Sequence, residues 1–192
     1  MLNCSTATSA SDQGAYTFFM GNLATPEALL ARWDELCRDP SLRDLPYKIE
    51  LNAWGKVEMN PASVQHAWLQ AAVTAELKQQ LPDGLALTEC PVLTSIGVRV
   101  PDAAWASAEF MKKHKGLSPL PRAPEICVEV LSPSNVEAEI TEKTRAYLAA
   151  GAQEVWRVAE NGTIRFFDRS GEKAQSHFPV ALTLPDPTKG YP

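Results

Sequence analysis

Residues 126–131 read Ile126-Cys127-Val128-Glu129-Val130-Leu131. Five of the six are apolar, and no polar residue alternates with them. A short apolar run of this kind, rich in β-branched residues, predicts a strand buried on both faces. Glu129 is the exception inside it. An isolated buried carboxylate is costly and calls for a partner or a metal ion. The competing reading places Glu129 at the strand end, reaching solvent.

Downstream, Ser134-x-x-Glu137 reads as a capping box opening a helix that ends near Gly151. Its inward stripe is Val136, Ile140 and Tyr147. At about 100° per residue, Lys143 falls in the middle of that stripe. A lysine there either snorkels to water or faces what the helix packs on, and the preceding strand carries Glu129. Val155–Val158, Ile164–Asp168 and His177–Val180 supply further strands, with Asn161-Gly162 as a hairpin turn.

Upstream, Leu85–Glu89, Val92–Ser95 and Val98–Trp105 read as strands, the last interrupted by Pro101. Asp102 follows that proline, one strand before Glu129. Thr25-Pro26 starts a first helix, and Asn60-Pro61 starts a second that runs to about Leu81. The second helix carries the stripe Leu69, Val73, Leu77 and Leu81, with His66 one turn earlier on the same side. Between these helices, Tyr47–Leu51 and Lys56–Met59 flank a Gly-containing turn and read as a hairpin.

The chain has 192 residues, 45% hydrophobic and 21% charged, as expected of a globular protein with a real core. No apolar run approaches the ~20 residues that span a bilayer. Residues 1–16, rich in Ser, Thr and Ala, read as a flexible leader of a cytoplasmic protein, and 17–192 as a single domain. The net charge of −5 argues mildly against a general nucleic-acid binder. The dense basic strip Lys112-Lys113-His114-Lys115 reads as a solvated loop rather than a DNA contact. Cys37, Cys90 and Cys127 read as reduced, mostly buried thiols. No cysteine spacing suggests zinc, and the three scattered histidines argue against a histidine-based metal site.

Two carboxylates from neighbouring strands, Asp102 and Glu129, can hold Mg²⁺ (or Mn²⁺) through oxygen. A lysine beside them, Lys143, can hold a water for attack while the metal stabilises charge on a phosphate. The residues Ala123-Pro-Glu-Ile-Cys-Val-Glu-Val-Leu-Ser-Pro-Ser-Asn135 resemble the central motif of the Uma2 family, also called DUF820. Ile49-Glu-Leu-Asn52, Gly55, Asn60-Pro-Ala-Ser63, His66, Pro101-Asp102, Lys143, Tyr147 and Gly151-Ala-Gln-Glu-Val-Trp156 agree in order and spacing. The resemblance covers roughly residues 45–168.

This resemblance implies a PD-(D/E)XK nuclease: an α/β, restriction-endonuclease-like mixed central sheet flanked by helices, cutting DNA with a divalent metal. In the wider fold a lysine stands two residues after the motif's acid; here that position is Leu131, and Lys143 matches a version in which the next helix supplies it. Glu139 stands where the family often has an Asp. By the same resemblance Glu50, Glu58 and His66 line the site, and a symmetric homodimer is the natural arrangement for cutting two strands. Two rivals stay open at this point: a catalytically silent protein of the same fold that binds nucleic acid or regulates a partner, and a purely structural Glu–Lys pair.

Overall fold

The computed structural model describes residues 23–190, apart from Ala62 and Ser134. The leader expected at 1–16 lies outside the described residues, as do Cys4 and the capping residue Ser134. The elements run α1 (Pro26–Arg38), β1 (Tyr47–Asn52), β2 (Val57–Pro61), α2 (Val64–Gln80), β3 (Gly84–Thr88), β4 (Val92–Thr94), β5 (Gly97–Arg99) and β6 (Ala103–Ser107). They continue with α3 (Ala108–Lys113), β7 (Ile126–Val130), α4 (Glu137–Ala150), β8 (Glu154–Val158), β9 (Ile164–Asp168) and β10 (Gly171–Lys173).

Two sheets result. One has the order β2-β1-β5-β4 and the other β10-β9-β8-β7-β6-β3. Between these strands every pairing is antiparallel except β7 with β8, which is parallel. A parallel pair needs a crossover, and α4 is that crossover. This makes the larger sheet mixed, with helices against it.

β7 is buried along its whole length. Ile126, Val128 and Val130 face one way and pack with Leu69, Val73 and Leu77 of α2 and with Leu81, which caps it. Cys127 faces the other way and packs with Tyr147 and Leu148 of α4. Because side chains alternate along a strand, Glu129 shares the α4 side. Arg157 of β8 pins that helix. It donates to Thr144 Oγ1 (3.0 Å) and to Glu137 Oε1 (2.7 Å), with its guanidinium 4.2 Å from the Phe167 ring centre.

Several expectations need correction. Val98–Trp105 is not one interrupted strand: β5 belongs to the smaller sheet and β6 to the larger. Pro101 has no amide proton for a ladder, so the chain changes sheets there. Asn60 and Pro61 end β2, and α2 starts later, behind Ser63, whose hydroxyl accepts from the His66 amide at 3.1 Å. Helix α4 opens behind Val136, which lies 54% exposed rather than on the inward stripe. Lys112 and Lys113 end a short helix, α3, and His114 behind them is buried against Phe110. Residues 177–180 form no strand; β10 lies earlier, at Gly171–Lys173. Cys90 and Cys127 are buried, but Cys37 is exposed.

The smaller sheet packs Leu51, Val98 and Val100 against Leu29, Trp33 and Leu36 of α1. Its β1–β5 seam depends on Gly97, at φ +116°, where a methyl group would lie 2.0 Å from the Leu51 carbonyl oxygen. Backbone cannot yield as a flexible side chain would. Gly97→Ala should therefore lower stability by at least about 1–3 kcal/mol, read as a reduced urea midpoint with an unchanged m-value.

Candidate active site

Strand β6 pairs with β7 through Ala103↔Val128. Continued by one residue, that register sets Asp102 opposite Glu129, on the same side of the sheet. The smaller sheet contributes β1, whose alternation turns Lys48 and Glu50 to one face. Helix α4 contributes Lys143 and Tyr147, one turn apart. All but Tyr147 line a cleft of about 1260 Å³ shared with His66, Gln70, Glu58, Arg99 and Glu139.

The carboxylates are buried, and each has its donors. Asp102 Oδ2 accepts from the Val130 amide at 2.7 Å and lies 3.2 Å from His66 Nε2. Asp102 Oδ1 accepts from Lys48 Nζ at 2.6 Å. Glu129 Oε1 accepts from the Tyr147 hydroxyl at 2.7 Å. Glu129 Oε2 faces two ammonium groups, Lys143 at 3.7 Å and Lys48 at 4.0 Å. Glu50 takes Lys143 Nζ at 2.8 Å, Arg99 Nη1 at 3.3 Å and the Val100 amide at 2.8 Å. The result is a lattice of three acids alternating with two lysines.

The fields in this lattice are unequal. Burial works to raise Asp102, but the His66 hydrogen bond and the Lys48 charge outweigh it and hold the carboxyl at about 2. Glu50 is also lowered: burial opposes, and Lys143 and Lys48 prevail. Glu129 goes the other way. Its complete burial, with Asp102 and Glu50 as like-charged neighbours, exceeds the pull of the two lysines and raises it. Tyr147 is raised well above its ordinary value by burial and by the Glu129 and Glu50 charges, so it is a neutral donor at working pH.

Among the residues expected from the sequence, Asp102, Glu129, Lys143, Glu50 and His66 come together. Lys143 reaches Glu129, but its closer partner is Glu50, which is therefore central rather than peripheral. Glu58 stands one layer out: it binds Arg99 and accepts from Asn52 Nδ2 at 3.2 Å. Glu139 is exposed on the cleft rim and makes no ion pair among the described residues. Lys48 was missed. Its signal was the Lys48–Glu50 alternation in β1, which on sequence alone reads as a solvent face.

The donor chemistry suits a hard cation. Asp102 Oδ2 and Glu129 Oε1 are tied down by protein donors; Oδ1 and Oε2 both face the Lys48 ammonium, already a cation between them. Among the described residues no group of three or more His, Cys, Asp or Glu could hold an ion. A Mg²⁺-like ion would thus take two carboxylates and complete its shell with water and substrate oxygens, as such ions usually do.

Two measurements check this electrostatic picture. Tyr147→Phe leaves a buried carboxylate oxygen without its donor and should cost about 1–3 kcal/mol in chemical denaturation. Asp102 has a folded-state value below its ordinary 3.8, so its contribution is present above that pH and lost as pH falls toward about 2. Stability should fall across that window, and Asp102→Asn should flatten the fall.

A search of curated proteins found no match. A solved structure from Anabaena variabilis, described as "a putative nuclease belonging to DUF820", superposes with a TM-score of 0.58 at 16% identity, over 71% of this chain and 81% of that one. At that identity the likeness establishes the fold, which is of the restriction-endonuclease type. The Uma2 family model, described as "Putative restriction endonuclease", matches residues 33–190. Matching more than half of the sequence, from α1 through the segment beyond β10, it establishes that the chain belongs to the Uma2 family.

Proposed function

We propose that the chain is a metal-dependent endonuclease that hydrolyses DNA phosphodiester bonds on the floor of the cleft, with Asp102 and Glu129 holding Mg²⁺ or Mn²⁺. The observation that carries this reading is the pair of oxygens, Asp102 Oδ1 and Glu129 Oε2, turned toward one cation position while their partner oxygens are held by the Val130 amide, His66 and Tyr147.

When bound, the ion supplies a Lewis acid that neutralises charge on the phosphate and lowers the pKa of a bound water. The chain's own groups do the rest. The Val130 amide and Tyr147 fix the two carboxylates, so neither must be reordered when the ion arrives. Glu50 holds Lys143 through both its oxygens, at 3.0 and 2.8 Å. An ammonium has three protons, which leaves Lys143 one to hold a water beside Glu129. That placement lets a helix lysine do the work that Leu131 cannot do from the strand. The cleft lining has more carboxylates than cations, so a phosphate approaches it poorly without added positive charge, which favours a metal-requiring reaction. His66 positions Asp102 as a neighbour, not as a ligand in this reading. Cleavage of both strands takes two centres, which makes a symmetric dimer part of the proposal.

Supercoiled plasmid incubated with Mg²⁺, Mn²⁺ or EDTA tests it. Nicking and linearisation should require the metal and vanish in Asp102→Asn and Glu129→Gln. Lys143→Met should stay folded at lower stability, since Glu50 loses its nearest cation, and still bind the metal, but lose about 10²–10⁴ in rate, the usual worth of a well-placed proton-handling group. Intact plasmid with wild-type protein and either metal overturns the reading in favour of a catalytically silent relative.

A further inference from the structure

Lys48 enters the cluster from a different sheet than the acids it meets. It sits on β1 of the smaller sheet, while Asp102 and Glu129 sit beside β6 and on β7 of the larger one. Its side chain is 14% exposed, and its ammonium lies 2.6 Å from Asp102 Oδ1 and 4.0 Å from Glu129 Oε2. These are the two oxygens that an ion would need. A divalent ion bonded to both would sit about 2.0–2.6 Å from each. That places it next to the ammonium, a like charge in a low-dielectric pocket. Ion and ammonium therefore compete for the same two oxygens.

We propose that Lys48 is a built-in counter-cation: its ammonium holds the Asp102–Glu129 pair in the metal-free protein, and a divalent ion binds by displacing it, so that Lys48 sets the metal affinity. The inference rests on the reading of that pair as the metal site. Two buried carboxylates side by side, one of them at full burial, would strain the fold if left alone. Lys48 removes the strain in advance, and its flexible four-carbon stem borders the open cleft into which it can swing. Its charge is persistent: burial disfavours it, but the Glu129, Asp102 and Glu50 carboxylates outweigh burial and raise its pKa. The exchange is thus a competition between cations, not a loss of a proton.

The consequence is a weakened apparent affinity. Metal binding is diminished by the cost of releasing the lysine, so at a given metal concentration the ion stabilises the wild type less than it would the same fold without the ammonium. Removing the ammonium reverses both effects.

The test is calorimetric titration of MnCl₂ into the full chain, with thermal melts without Mn²⁺ and at one fixed Mn²⁺ concentration, on the wild type, Lys48→Met, Lys48→Arg and Asp102→Asn. Lys48→Met should bind Mn²⁺ on the order of tenfold more tightly than wild type. Its metal-free melting temperature should fall, and the same Mn²⁺ concentration should raise it further than it raises that of the wild type. Lys48→Arg, which keeps the charge, should stay near the wild-type affinity, and Asp102→Asn should bind weakly. If Lys48→Met is unfolded without metal, folding on addition of Mn²⁺ supports the proposal, and failure to fold with Mn²⁺ overturns it. Unchanged or weaker binding by Lys48→Met, beside a wild type that binds, overturns the counter-cation role and leaves the metal site standing. Absence of binding by wild type and Lys48→Met alike overturns the metal site itself, and this inference with it.

Discussion

The neutralisation of three buried carboxylates by two lysines and Arg99 governs this structure. Glu50, Asp102 and Glu129 lie within one cleft floor, each almost wholly removed from water. Burying one uncompensated carboxylate costs several kcal/mol, and three together would repel one another as well. Lys48 and Lys143 make the arrangement tenable, and they can do so only because β1 and α4 are held where they are. The two sheets, the Pro101 crossing and the α4 crossover can each be understood by how they serve that convergence.

The lattice is built from three independent parts of the fold. The β6–β7 register delivers two acids on one side of the larger sheet. The smaller sheet delivers Lys48 and Glu50 together, because residues two apart on a strand share a face. The parallel β7–β8 pair demands a helical crossover, and that helix delivers Lys143 and Tyr147. Arg157 locks the helix onto β8 with Thr144 and Glu137. A small shift in any of the three parts would leave a buried charge unpaired, so the site and the fold stabilise each other.

Much of this was legible locally. Glu129 stood out because a doubly buried strand has no place for a charge, and Lys143 because it set a charge in phase with an apolar helix stripe. Leu69, Val73, Leu77 and Leu81 followed from helical periodicity and are all core. The places where local reading failed share a cause. Pro101 signals an interruption, but whether the chain bends within one sheet or passes into another depends on partners far away in sequence. Residues 177–180 have a strand-like composition, yet no neighbouring edge pairs with them. The Lys112–Lys115 strip is charged whether it forms a loop or ends a helix.

The amino-acid order alone was sufficient for the family and the α/β architecture, and it singled out Asp102, Glu129 and Lys143 as candidates, because hydrophobic period, turn chemistry and misplaced charge are written within a dozen residues of each other. The tertiary structure was needed to pair them. Lys48 and Glu50 alternate with Ile49 and Leu51 in a pattern equally suited to a wet face. Only the approach of the second sheet, 54 positions away from Lys48 in the case of Asp102, turns that face into the floor of a cleft. Which cation meets which carboxylate is a long-range property, decided by strand register and sheet packing, and no local signal carries it.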